Sequence, residues 1–270
     1  MSADTSWTGY RVVETQDAPR QGDVLIEIGG GVGKRFLARK QDLGGALFDD
    51  GRGDSGAFLL RVFLNGAKDP VGWKQGLKEW LTEGGHAVIT ARSGEGLVAC
   101  AGGRVMIGCA IDSVDRMICC AVVFAAAERM LRSLEVEAEQ LFPDLEKDSE
   151  WAYRVDRLDR SADAALKQRA HATMLRRLTF MQWEPVWAGM GRCWSDLGDE
   201  RLGESLREEA CFEDRCELLD GRIEAAEYVY ELVGQRAGEF RHAREGYWIE
   251  WIIVVLLAAE LGLMLLEYLE

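Results

Sequence analysis

The residue types that usually carry catalysis are thin in this chain. Its three histidines, His86, His171 and His242, are far apart, and no two have the spacing of metal ligands. GDSGA at 53–57 has the form of a serine-protease nucleophile segment, but a serine nucleophile needs a histidine base, and a surface turn accounts for it better. IGGGVGKRF resembles a phosphate loop, yet the motif's first glycine, with four residues between it and the Gly-Lys pair, is replaced by Ile28, and the hydroxyl expected after Lys34 is Arg35. It reads as a glycine-rich turn between strands. The seven cysteines (Cys100, Cys109, Cys119, Cys120, Cys193, Cys211, Cys216) form no zinc pattern and fit structural thiols in a reducing compartment. Glu208, Glu209, Glu213, Asp214 and Glu217 read as solvated helix faces. No catalytic residue, metal site or cofactor is expected.

The net charge of −14 argues against a chain that coats nucleic acid, because phosphate binding is driven by Lys and Arg; no DNA partner is expected. One basic island departs from that balance. Between Trp151 and Phe180, seven basic residues stand against Asp156, Asp159 and Asp163, a local excess of four. Arg154, Arg157, Arg160, Arg169, Arg176 and Arg177 are the candidate contacts to RNA or lipid headgroups. Salt bridging to the acidic stretches 135–150 and 199–217 is the favoured account of the same residues.

The elements that would position these groups divide at about residue 111. Residues 1–22 are polar and aperiodic, read as a tail without the cationic start and apolar run of a signal peptide. The runs DVLIEI, AFLLRVFL, HAVITA, GLVACA and RVMIGCAI are short strands bounded by glycine, and DPVGWKQGLKEWLTEGG is an amphipathic helix, giving a 23–111 head of mixed α+β type. Residues 112–246 form an all-helical body. Its strongest signal is the series Phe212, Cys216, Leu219, Ile223, Ala226, Tyr230, Val233, Ala237 and Phe240, spaced 4, 3, 4, 3 throughout. That 3.5-residue period predicts a long coiled-coil-like helix whose seam packs within one chain or between chains.

The same register runs on to Arg244, Tyr247 and Trp251, into REGYWIEWIIVVLLAAELGLMLLEYLE. Tyr247, Trp248, Trp251 and Tyr268 border an apolar run containing the charged residue Glu260, and 247–268 is about 33 Å of helix. The sequence therefore predicts a C-terminal transmembrane helix, with lipid bilayer as a partner. Arg236, Arg241 and Arg244 before it place the bulk of the chain in the cytoplasm, or in an organelle matrix, as a tail-anchored single-pass protein. Glu260 is costly at mid-membrane and favours packing of several copies around it.

Two blocks then suggest a family. RCELLDGRI and IEWIIVVLLAAE, with RMICCAVVFAAAERMLRSLE upstream, resemble the ordered motifs of the YagE / required for meiotic nuclear division family over roughly residues 112–262. Upstream of 110 the family's aromatic strand is missing. The resemblance implies an α+β head, a helical body, a C-terminal membrane helix, large homo-oligomers and, in mitochondrial members, support of ribosomes; it transfers no catalytic residue. The resulting expectation is a membrane-anchored homo-oligomeric scaffold or tether. The alternatives are an RNA-binding or ribonuclease-type effector and a membrane-perturbing oligomer.

Overall fold

The glycine-bounded runs become strands in the computed structural model of the chain, which describes residues 7–16, 18–19, 23–28, 32, 34–41, 58–64, 80–81, 87–93, 96–153, 160–189 and 200–269. Seven strands, β1 (Trp7–Glu14), β2 (Val24–Ile28), β3 (Lys34–Gln41), β4 (Phe58–Leu64), β5 (Ile89–Ser93), β6 (Gly96–Ala101) and β7 (Arg104–Cys109), form one sheet in the order β2-β3-β1-β4-β7-β6-β5. Every pairing is antiparallel except β4 with β7. The stretch read as an N-terminal tail contains β1, which is hydrogen-bonded along both edges, to β3 and to β4. Its Val12 is fully buried, and burial of that apolar face holds an otherwise polar segment in the sheet. Of the predicted amphipathic helix only Trp80 and Leu81 are described, both helical and buried.

Four helices follow among the described residues: α1 (Val114–Ser149), α2 (Arg160–Trp187), α3 (Glu200–Glu209) and α4 (Phe212–Leu269). Single 3₁₀ turns, Ile111–Ser113 and Glu150–Ala152, flank α1, which continues through Pro143. From Met117 to Ala127 nearly every α1 residue is buried, so this part of the helix is enclosed on all sides, as its apolar composition requires.

The chain forms two compact units, and the division does not fall at residue 111. The first comprises Met1–Glu137 and Arg177–Asp220, the second Ala138–Arg176 and Gly221–Glu270. In the first unit, Phe124 stacks on Phe212 with ring centroids 5.4 Å apart, and the indole of Trp187 donates to the carbonyl of Ala127 at 3.0 Å. Arg215 clasps Glu128 at 2.6 Å and Glu135 at 2.8 Å. Burial alone would lower the Arg215 pKa, but the hydrogen bonds to Glu135 and Glu128 raise it above the ordinary arginine range. The second unit closes over Leu145, Ala152, Leu166, Ala226, Tyr230 and Val233.

The predicted membrane anchor is corrected by the structure. Among the described residues no helix is long and apolar enough to cross a membrane. Glu250 and Glu260 cut the apolar run of α4 to the nine residues 251–259, about 14 Å of helix against the ~30 Å of a bilayer core. The single-pass, tail-anchored topology and the membrane location built on it are therefore withdrawn, as is the transmembrane helix in the fold class. What stands is a sheet-containing head and a helical body.

Candidate functional site

The heptad seam of α4 is occupied by the chain itself along most of its length. Leu219, Ile223, Ala226, Tyr230 and Val233 are all buried; in the second unit Ala226, Tyr230 and Val233 meet Leu145 of α1 and Leu166 of α2. Of Phe240 the structure describes only its place in the helix. A buried polar group sits on this seam. Asp148, with its side chain 5% exposed, accepts from Arg169 Nη1 at 2.7 and 2.8 Å and from the Tyr230 hydroxyl at 3.2 Å. Burial and then the Asp148 carboxylate push the Tyr230 phenol up to about 12. The three side chains, one from each helix of the unit, fix the register in which those helices meet.

Beyond the seam the environment inverts. Every residue from Gly246 to Leu261 is exposed, including Tyr247, Trp248, Ile249, Trp251, Ile252, Val254, Val255 and Leu256. Trp251 is 67% exposed and Leu256 63%. An apolar helix exposed on all faces is unstable in water unless something covers it. The heptad register carried on from Tyr230 and Val233 passes Ala237, Phe240 and Arg244 and then falls on Tyr247, Trp251, Val254, Ala258 and Leu261, so after the break at Arg244 the seam is apolar again where its own chain does not cover it. Glu250 and Glu260 fall outside that register, and Glu260 is exposed with its neighbours. Tyr247, Trp248, Trp251, Ile252, Val255 and Leu256 also line one open groove along the helix. Tyr268 lies on the same helix, and only its backbone is described.

The basic island is divided among different environments. Arg169 is engaged with Asp148 and, at 3.7 Å, with Asp144; Arg177 is paired with Asp220. Arg176 is partly buried on α2. Arg160 begins α2 with its side chain outside the described part, and Arg154 and Arg157 lie outside the described residues. Arg169 thus bridges to the acidic stretch 135–150, while the partner of Arg177, Asp220, lies outside both stretches named from the sequence.

The sequence decoys have no assembled site. Residues 53–57, His86 and most of the glycine-rich loop lie outside the described residues, and Lys34 begins β3, where it pairs with Glu14 at 3.0 Å. Among the described residues no group of three His, Cys, Asp or Glu could hold a metal ion. Burial pushes the thiol of Cys216 up to about 12 and that of Cys119 to about 11, which keeps both protonated and poorly nucleophilic.

Comparison with known proteins adds little to this geometry. No family model matches the chain, and no curated protein matches it. A solved structure described as that of the full-length CmaX protein aligns over 95% of this chain and 82% of its own, at 14% identity and a TM-score of 0.26. So loose a likeness carries no argument about function.

Proposed function

We propose that the protein is a non-enzymatic scaffold that assembles into homo-oligomers through the last turns of α4. The observation that carries this reading is the apolar helix from Tyr247 to Leu261, exposed on every face while its heptad seam continues. The occupant is a second copy of the chain because identical helices in register present matching seams. Glu250 and Glu260, which disfavour a bilayer, fall off the seam, where a coil in water leaves carboxylates solvated. Apolar residues flank the seam at Val255 and Leu257 as well, and this broad apolar surface favours more than two strands.

Sedimentation of the full chain tests the proposal. A species several times the 30.1 kDa chain mass is expected, and replacing both Trp251 and Val254 by Glu should return it to monomer. A wild-type chain that stays monomeric at tens of micromolar sinks the proposal.

The RNA-directed reading has less support, since Arg169 and Arg177 are committed to carboxylates of their own chain. A gel shift with total RNA that is lost when Arg154, Arg157 and Arg160 become Glu would restore it.

A further inference from the structure

Heptad positions separate the two carboxylates of the exposed α4 end. With Trp251 and Ala258 at a, and Tyr247, Val254 and Leu261 at d, Glu250 takes position g, beside the seam, and Glu260 takes position c, away from it. Leu257 and Met264 occupy g in the next two heptads, so Glu250 interrupts a flank that is apolar beyond it. The e flank, Trp248, Val255 and Gly262, carries no charge at all.

In a coiled coil a carboxylate at g is commonly met by a Lys or Arg at e of the neighbouring helix. A parallel copy in register offers Glu250 no such partner, because it brings Val255 to that place. Its own helix does not help either. The residues one turn before and after it are Gly246, Tyr247, Ile253 and Val254, none of them basic, and the nearest charges along the helix, Arg244 and Glu245, lie more than a turn away. Glu239, earlier in α4, makes the contrast, since it pairs with Arg236 at 2.9 Å. In the single chain Glu250 is exposed together with every residue from Gly246 to Leu261, so no described element covers it and water solvates its charge.

Resting on the self-assembly reading above, we infer that Glu250 makes the assembly of α4 proton-dependent: ionised, it opposes the closing of the flank, and protonated, it permits it. Where more than two strands meet, the apolar flanks close against each other, and Glu250 loses water without gaining a cation. Desolvation penalises the charged form, so the assembled chains hold a proton there more readily than the free chain does. Assembly therefore takes up protons, and by linkage a lower pH favours the assembled state and a higher pH the free chain. Glu260, at c, stays in water on the outside of the coil and takes no part.

Sedimentation velocity of the full chain over a concentration series at pH 7.5 and pH 6.0, both above its pI of about 4.8, tests this. The concentration at which the wild type is half assembled should fall by about threefold or more at the lower pH. Glu250→Gln keeps the shape of the side chain and removes its charge; it should assemble at pH 7.5 at a lower concentration than the wild type and show no such shift. Glu260→Gln changes the net charge by the same amount and should retain the wild-type pH response. A wild-type chain that assembles equally at both pH values, a Glu250→Gln chain that keeps the response, or a Glu260→Gln chain that loses it as completely, overturns the role of Glu250 and leaves self-assembly intact. If wild type and Glu250→Gln are both monomeric at tens of micromolar at either pH, self-assembly itself fails and this inference falls with it.

Discussion

Asp148 shows how one carboxylate can hold three helices in register. It is almost fully enclosed, and its acceptors are satisfied by Arg169 and the Tyr230 hydroxyl. Truncation to Ala would leave a guanidinium and a phenol without that partner, and an abandoned polar group costs more than the bond itself contributed. Arg169 is about one-third exposed, so water recovers part of the loss. We expect Asp148→Ala to lower stability by about 2 kcal/mol and Tyr230→Phe by no more than about 1 kcal/mol, read from urea unfolding. Cys216 supplies a pH test. Its thiol is raised from 9.0 to about 12 in the folded chain, so above pH 9 the unfolded chain releases a proton that the folded chain keeps. That contribution is complete below pH 9 and is lost as pH rises toward 12. The urea midpoint should fall between pH 8 and pH 10.5, and fall less in Cys216→Ala; Tyr230 and Cys119, raised in the same direction, account for the remaining slope.

At the scale of elements, α4 was readable and parts of the sheet were not. The 4, 3 spacing from Phe212 to Phe240 announces a helix because one buried stripe repeats through it, and Leu219, Ile223, Ala226, Tyr230 and Val233 are buried as that stripe demands. β1 and β3 escaped notice because their composition is mixed. Lys34, Arg35, Arg39 and Lys40 bracket only Phe36, Leu37 and Ala38 as a buried centre, so long-range pairing, not local pattern, makes that strand. The open α4 end has the aromatic border of a bilayer span, but Glu250 and Glu260 interrupt its apolar run, and among the described residues no helix is long and apolar enough to cross a membrane. The helix carries a further check. A Cβ added at Gly234 meets nothing within 4 Å, and the position is exposed and off the seam. Gly234→Ala should therefore stabilise the chain by about 0.5–1 kcal/mol, measured as an increased urea midpoint at constant slope.

For the whole molecule, the proposed assembly gives the C-terminal part of α4 a role separate from the fold. The described residues from Gly246 to Leu261 are exposed, so they bury little apolar area against their own chain. The hydrophobic contribution to folding scales with area removed from water, and under the proposed assembly that removal comes only with other copies. A chain ending at residue 246 should consequently keep the unfolding midpoint of the monomeric Trp251→Glu, Val254→Glu variant, within about 0.5 kcal/mol, while lacking the concentration dependence expected of the wild type. Differential scanning calorimetry at 5 and 100 µM separates the two quantities. A wild-type transition that rises with concentration, beside a truncated chain whose transition does not move, is the expected pair of results. If truncation instead lowers the midpoint of the monomer by several degrees, α4 beyond residue 246 is part of the folding core, and its exposed apolar face requires an account other than self-assembly.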